Sequence, residues 1–325
     1  MKYKSCHLIE HGMIFTWQNV ITCCMYGAND GFDVLYGKYY ASKDFSVDEI
    51  LRKKREQREQ LKQGKIPCGC VNCHNLEEKD WDDEDYIKYI YVSHWTKCNC
   101  NCFYCYYDPY KNYFQKFKNA KLLPILEQMF QKNQLKNDGY LIITGGEPSC
   151  LDELGRVIDF SLKHDIKEIY LNSSCIKYEK SIEKALKKDN IELTLSLDCS
   201  TREMYKKIKR IDAFDKVIKN MKKYVKAQAE KKTAVRIKYI ILPNVNDTKE
   251  EIDNWLVLCQ NIGVKKVILD VETNWYQKNK MNIPIRIKEL ISYFKERALF
   301  YGFETDFYCH VSQINHEMQS INGEI

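Results

Sequence analysis

DYIKYIYVSHWTKCNCNCFYCYY, residues 85–107, sets an apolar, aromatic run directly ahead of four closely spaced cysteines. Residues 85–93 are mostly β-branched or aromatic and read as a strand. Cys98, Cys100, Cys102 and Cys105 follow at its carboxyl end, where α/β folds place their ligand sites. Outward from here the same alternation continues. Strands are predicted at 139–146, 166–174, 191–198, 234–242 and 264–272, several of them apolar almost throughout, as strands buried on both faces are. Helical patterns lie between them at 120–135, 151–164, 178–189, 214–232 and 248–263. Six strands with five intervening helices predict an α/β fold, a parallel sheet with right-handed crossovers. The count suits a partial (β/α)6 TIM-like barrel, and an open doubly wound sheet is the other arrangement it allows. A further helix at 285–302 and a final strand at 303–314 close the pattern.

Composition narrows the class. With 44% hydrophobic and 30% charged residues the chain reads as a soluble globular protein. No run reaches the ~18 apolar residues that a membrane span needs. The start, MKYKSCHLIEHG, holds no apolar signal stretch, so the expected location is the cytoplasm. In that reducing setting fifteen cysteines point to metal binding or reactivity rather than disulfides. Ten of them fall within the first 105 residues. The basic stretch at 51–65 interleaves Glu and Gln at helical spacing and reads as a solvated helix face, so neither nucleic acid nor membrane is an expected partner. The acidic run EEKDWDDED, 77–85, is read as a boundary. It separates a cysteine-rich module at 1–85 from a core at 86–275, with an extension at 276–325 packing on the core.

Cys98, Cys102 and Cys105 form C-x3-C-x2-C, a spacing that suits an iron–sulfur cluster. Closed zinc sites usually space their thiolates more widely, and C-x-C-x-C-x2-C strains a tetrahedral arrangement. With Tyr104 in the aromatic slot before Cys105, the loop resembles the C-x3-C-x-aromatic-C pattern of the radical S-adenosylmethionine (radical SAM) superfamily. Gly145-Gly146-Glu147-Pro148, ending the next strand, is similar to that superfamily's GGE motif. The resemblance implies a [4Fe–4S] cluster on three cysteines, with the fourth iron open to SAM and Cys100 left as a bystander. It implies that Gly145, Gly146 and Glu147 hold the methionine amino group. It further suggests Asn172, Ser196, Asp198, Lys238 and the backbone at Val271 as SAM contacts.

The remaining amino-terminal cysteines form a second set. Cys6 and Cys24 bracket a predicted hairpin with its turn at Gln18-Asn19, and Cys70-x2-Cys73 is a common half-site for a cluster or for zinc. This resembles the auxiliary-cluster element of SPASM and twitch domains, with Asn19 in place of the usual glycine. It implies a second [4Fe–4S] cluster on Cys6, Cys24, Cys70 and Cys73, with Cys23 and Cys68 as alternative ligands. Cys150, Cys175 and Cys259 read as small buried side chains. Cys199, beside Asp198, is similar in place to thiols that donate hydrogen to a substrate radical in some relatives, and Cys309 precedes His310 near the predicted pocket mouth.

The family resemblance implies reductive cleavage of SAM to a 5′-deoxyadenosyl radical that abstracts hydrogen from a substrate. A flavodoxin or ferredoxin-type protein would supply the electron. With no leader-binding domain read in the sequence, a sugar, polyol or nucleotide-linked small molecule is expected ahead of a peptide. Peptide maturation, and a non-catalytic iron–sulfur protein that carries electrons or binds a partner, are the competing expectations.

Overall fold

A computed structural model describes residues 2–16, 20–23, 34–36, 46–67, 70–71, 73, 75–82, 84–93, 97–105, 121–232, 234–280, 282–308, 310–312 and 314. The chain divides into two compact units, residues 1–97 with 110–170 and residues 98–109 with 171–325.

The first unit runs β1 (Lys2–Ser5), α1 (His7–His11), β2 (Gly12–Phe15), β3 (Val20–Ile21), β4 (Val34–Tyr36), α2 (Val47–Lys62), β5 (Glu77–Asp80), β6 (Ile87–Val92), α3 (Leu123–Gln131), β7 (Leu135–Ile143) and α4 (Leu154–Lys163). The strand expected ahead of the cysteines is β6, and β7 lies parallel beside it. The expected hairpin is β2 and β3, with Ile14 opposite Ile21 and Phe15 opposite Val20. Its turn, 17–19, lies outside the described residues. Strand β7 starts four residues earlier than expected, and its register against β6 shifts between Ile87 and Tyr89. Gly139 stands in this irregular stretch. A Cβ there would come 2.3 Å from the Lys88 carbonyl oxygen, so only glycine fits.

The organisation of the first 85 residues differs from expectation in three respects. The acidic run at 77–85 is no free link: its first four residues form β5 and pair antiparallel with β1, placing Lys2 opposite Asp80 and Lys4 opposite Glu78. Opposite charges facing across the pair favour that register. Strand β2, GMIF, is buried at every position and lies parallel to β6, so the hairpin extends the sheet of the core. The compact units accordingly do not divide at residue 85. The basic stretch does form a helix, α2, whose Ser46 cap oxygen accepts from Glu49 N at 3.3 Å. Only its outer side is solvated. Its inner side buries Val47, Ile50, Leu51, Lys54, Arg58 and Leu61.

Strand β8 (Glu168–Ser173) carries the chain into the second unit, which continues α5 (Lys180–Leu186), β9 (Ile191–Ser196), α6 (Arg202–Lys209), α7 (Phe214–Ala227), β10 (Val235–Ile241), α8 (Lys249–Ile262), β11 (Lys266–Val271), α9 (Thr273–Asn279), α10 (Ile285–Phe300) and β12 (Glu304–Phe307). From β9 to β12 each strand lies parallel beside the one before it. A doubly wound sheet reverses its order part-way. This winding never reverses, as in a partial (β/α) barrel. One face packs on the helices: Tyr239 of β10 lies against Trp255 of α8 and Phe294 of α10, at ring-centroid distances of 5.0 and 6.3 Å. Helix α8 stops at Gly263, in the left-handed region at φ +89°, as the Gly after its last apolar residue foretells.

Two helices, α6 and α9, fall where no helix is expected, and the final strand is shorter than 303–314. After β12, Ser312 N bonds to Tyr308 O at 2.9 Å, so the chain turns into helix. Cys309 lies outside the described residues.

Candidate active site

The cysteine loop, 98–105, belongs to the second unit, and α6 fixes its backbone. Asn101 N donates to Lys209 O at 3.0 Å and Phe103 N to Ile208 O at 3.2 Å, while Cys105 N closes a turn on Cys102 O at 3.2 Å. Ser174 Oγ, just past β8, donates to Asn99 Oδ1 at 3.0 Å. Beneath the loop lies a buried charge triad. Tyr104 Oη donates to Asp198 Oδ2 at 2.5 Å, and Lys209 Nζ donates to Asp198 Oδ2 at 2.5 Å and to Tyr104 Oη at 2.8 Å. Asp198 is 0% exposed and Lys209 2%. Burial alone would lower the Lys209 pKa, but Asp198 more than offsets it, so the amine is held well above its usual value and stays charged. Burial and the Asp198 charge raise Tyr104, which stays protonated.

This triad corrects the reading of Asp198 as a SAM contact. Its Oδ2 is taken by Tyr104 and Lys209, and its Oδ1 accepts from Ile240 N at 3.1 Å. A carboxylate so engaged positions the loop rather than a ligand. Lys209 itself escaped the sequence reading because a lysine in YKKIKR looks solvated. The available signal was Thr201, whose oxygen accepts from Met204 N at 3.3 Å, followed by Tyr205, Ile208 and Lys209 at helical spacing.

Three thiols on one short, anchored loop are the soft donors that a [4Fe–4S] cluster takes. Among the described residues no three His, Cys, Asp or Glu side chains are already arranged to hold a metal ion. The Cys98, Cys100 and Cys102 thiols lie close enough to influence one another. Hydrogen bonding to Cys102 and Cys98, with burial, raises the Cys100 pKa. The bond from Cys100 pulls Cys102 down to about 6 against the opposing effect of burial, and Lys209 adds to it. Cys100, whose N also donates to Cys98 Sγ at 3.4 Å, is therefore packed against two of the three expected ligands, Cys98 and Cys102.

In the first unit, Thr144 N donates to Val92 O at 2.9 Å at the end of β7, and Glu147 N donates to Lys97 O at 2.9 Å. Gly145 between them sits at φ +112°, a conformation that glycine alone takes readily. Glu147 is buried and caps the short turn Pro148–Cys150, its Oε1 accepting from Ser149 N at 3.2 Å and from Ser149 Oγ at 2.6 Å.

Back in the second unit, a cavity of about 220 Å³ opens beyond β10 and β11, lined by Phe103, Tyr104, Leu242, Pro243, Glu272, Asn274 and Trp275. Val271 does not line it. Its N donates to Asp270 Oδ1 at 2.9 Å, and the lining begins with Glu272, which caps α9 by accepting from Asn274 N at 2.8 Å and Trp275 N at 2.6 Å. Asn172 is half-buried on β8, and Ser196 and Lys238 are neighbours across β9 and β10.

Residues 92–256, 165 of the 325, match the radical SAM superfamily. The chain belongs to the radical SAM superfamily. Its cofactors are those of that family, a [4Fe–4S] cluster and SAM. This radical SAM chain is similar to a probable GTP 3′,8-cyclase of Methanocaldococcus jannaschii, 25% identical over 209 residues, covering 62% of this chain and 67% of that protein. It is also similar to a GTP 3′,8-cyclase of Clostridium botulinum, 28% identical over 192 residues, covering 55% of this chain and 54% of that protein. The chain thus spans about half the length of the Clostridium relative. Among solved structures, Streptococcus suis SuiB bound to SAM aligns at a TM-score of 0.53 and 16% identity, over 82% of this chain and 57% of that one. SuiB bound to its precursor peptide SuiA aligns at 0.52 and 14%, over 82% and 65%. These likenesses show the fold alone.

The other cysteines of this radical SAM chain separate into two groups. In the first unit Cys6 caps α1 and is buried with Tyr3, Ile9, Leu61 and Trp81, and Cys70 packs against the same group. Burial raises the Cys6 pKa, and the Cys23 and Cys73 thiols add to the rise, so these sulfurs are close enough to influence one another. Cys73 N bonds to Cys70 O at 3.0 Å. Cys24 and Cys68 lie outside the described residues. Cys199 lies in the second unit. It is 0% exposed, and burial, with the Asp198 charge beside it, raises its pKa and keeps the thiol protonated. No helix among the described residues is long and apolar enough to cross a membrane.

Proposed function

We propose that this chain reductively cleaves SAM and uses the 5′-deoxyadenosyl radical to abstract hydrogen from a small polar substrate, a sugar, polyol or nucleotide-linked molecule. The observation that carries the reading is the 98–105 loop, three thiols whose backbone is bonded to α6 above the buried Tyr104–Asp198–Lys209 triad. A [4Fe–4S] cluster on Cys98, Cys102 and Cys105 supplies, when bound, the electron that splits SAM. The chain's own residues do the rest. Asp198 and Lys209 fix Tyr104 and hence the backbone of the loop that carries the three thiols. Glu147 and the glycine turn at Gly145 and Gly146 supply a buried carboxylate and close backbone approach for the methionine end. Phe103, Tyr104 and Trp275 line an aromatic cavity at the strand ends that suits a flat ring such as adenine. Asn172 remains a proposed contact to SAM.

The nucleotide-linked end of that substrate range draws support from relatives named as GTP 3′,8-cyclases. Maturation of a peptide rests only on a fold likeness to SuiB at 14% identity. In the amino-terminal segment, 1–85, we place a second [4Fe–4S] cluster on Cys6, Cys24, Cys70 and Cys73, with Cys23 and Cys68 as alternative ligands; Cys70 packs against the apolar cluster that buries Cys6, and the Cys23 and Cys73 thiols act on Cys6. A flavodoxin or ferredoxin-type protein is the proposed reductant.

Anaerobic incubation of the reconstituted protein with SAM and a strong reductant tests the activity. Methionine and 5′-deoxyadenosine should form with the wild type and fall to background in Cys102→Ala. Equal yields from the two proteins would sink the reading.

A further inference from the structure

The face of β9–β12 turned away from the helices is polar where barrel interiors are usually packed with branched apolar side chains. Alternate residues share it: Arg236 lies beside Thr194 and Lys266, Lys238 beside Ser196 and Ile268, and Ile240 beside Asp270. Towards the amino ends of the strands its charges answer one another. Arg236 Nη1 contacts Glu192 Oε2 at 2.6 Å and Asp306 Oδ2 at 3.8 Å, and Lys266 Nζ contacts Asp306 Oδ2 at 2.8 Å. Towards the carboxyl ends, Asp270 Oδ1 accepts from Val271 N at 2.9 Å and lies 3.2 Å from His310 Nδ1.

Lys238 stands between these two groups and belongs to neither. It is half-buried, and its ammonium lies over the Tyr308 ring, 5.2 Å from the centroid. No carboxylate of the described residues reaches it within ion-pair distance. The neighbours Ile237 and Tyr239 are buried on the opposite face, so the backbone register holds Lys238 on this one. A partly desolvated ammonium is costly without an anion. Arg236, Lys266, Asp306 and Asp270, on the strands around it, each have a partner.

We propose that Lys238, with the Ser196 hydroxyl beside it, receives a phosphate group of the substrate, which makes the substrate a phosphorylated small molecule rather than a neutral sugar, polyol or peptide. This rests on the SAM-cleaving activity proposed above. A tetrahedral anion offers oxygens to both side chains at once, which suits donors on adjacent strands. The methionine carboxylate of SAM is the other anion that such an ammonium could serve. Position favours the substrate: Lys238 lies three residues inside the end of β10 at Ile241, whereas the cavity beside the cysteine loop begins beyond that end, at Leu242.

Calorimetric titration of pyrophosphate and, separately, SAM into anaerobically reconstituted wild type, Lys238→Gln and Lys238→Arg tests the assignment. Pyrophosphate should bind the wild type, weaken about tenfold or more in Lys238→Gln, and return to within about threefold in Lys238→Arg. The Kd for SAM should shift less than about twofold in either variant. Thermal melts of Lys238→Gln, with Lys238→Arg alongside, separate loss of the ligand from loss of the fold. Absence of pyrophosphate binding to the wild type, equal binding to Lys238→Gln, or weakening confined to SAM would each overturn it, the last by giving Lys238 to the cofactor. If wild-type protein yields no 5′-deoxyadenosine, the activity fails by itself, and the pyrophosphate titration still reads the anion site.

Discussion

Lys209 brings a full positive charge into a place without water, and Asp198 makes that tolerable. Removing one partner of a buried pair leaves the other uncompensated, at about 3–5 kcal/mol. Lys209→Met should therefore lower the unfolding free energy by about that amount in denaturant titrations. Asp198→Asn on the Lys209→Met background should recover much of it, since the stranded charge is then gone. At the cysteines, Cys100→Ala should retain 5′-deoxyadenosine formation, because only Cys98, Cys102 and Cys105 match the ligand spacing. Loss equal to that of Cys102→Ala would make Cys100 a ligand. The C-x3-C-x2-C spacing was readable in the chain because neighbours in sequence carry it. The Asp198–Lys209 pair was not, because pairing across α6 is a property of folded space, and a lysine among lysines gives no hint of burial.

Short α1 ends in His11, whose ring stacks on Tyr86 at 4.1 Å while burial pushes its pKa down to about 4, against the opposing pull of Asp82. The unfolded chain takes up a proton there near the ordinary value of 6.5. Between those two values the unfolded state binds more protons, so stability should fall as pH drops from 6.5 to 4, by on the order of 2–3 kcal/mol. Denaturant midpoints measured across that window should flatten in His11→Gln. An unchanged slope would remove His11 as the cause. In β7, Gly139→Ala forces a Cβ against the Lys88 carbonyl and should cost about 1–3 kcal/mol by the same measurement. Apolar periodicity foretold most strands and helices of the core, since burial on one or both faces writes itself into the pattern. It missed α6 and α9, whose turns are short and largely polar, and it mistook the acidic run for a link because β5 is held by charges on β1 rather than by an apolar face.

For the molecule as a whole, the thiols of 98–105 and those around Cys6 fall in different compact units. Two separate clusters should give about eight irons per chain. Replacing Cys98, Cys102 and Cys105 together by Ala should leave roughly half the iron, bound as one cluster by Mössbauer spectroscopy. Complete loss from a folded protein, or zinc in place of the remainder, would rule out an independent second cluster. The parallel winding of the core could be read from the order of strands and helices, whereas the assignment of the amino-terminal hairpin to the core sheet could not. That pairing of β2 with β6 joins segments 77 residues apart. The bonds from Asn101 and Phe103 to α6 reach still farther along the chain, about a hundred residues. During synthesis the four cysteines of the loop leave the ribosome well before Lys209 does. At about 5–20 residues per second, that interval is on the order of 5–20 s. For those seconds the thiols have no helix to hold them, so iron delivery that waits for α6 meets a shaped loop, and delivery that comes sooner meets a reactive, unstructured one.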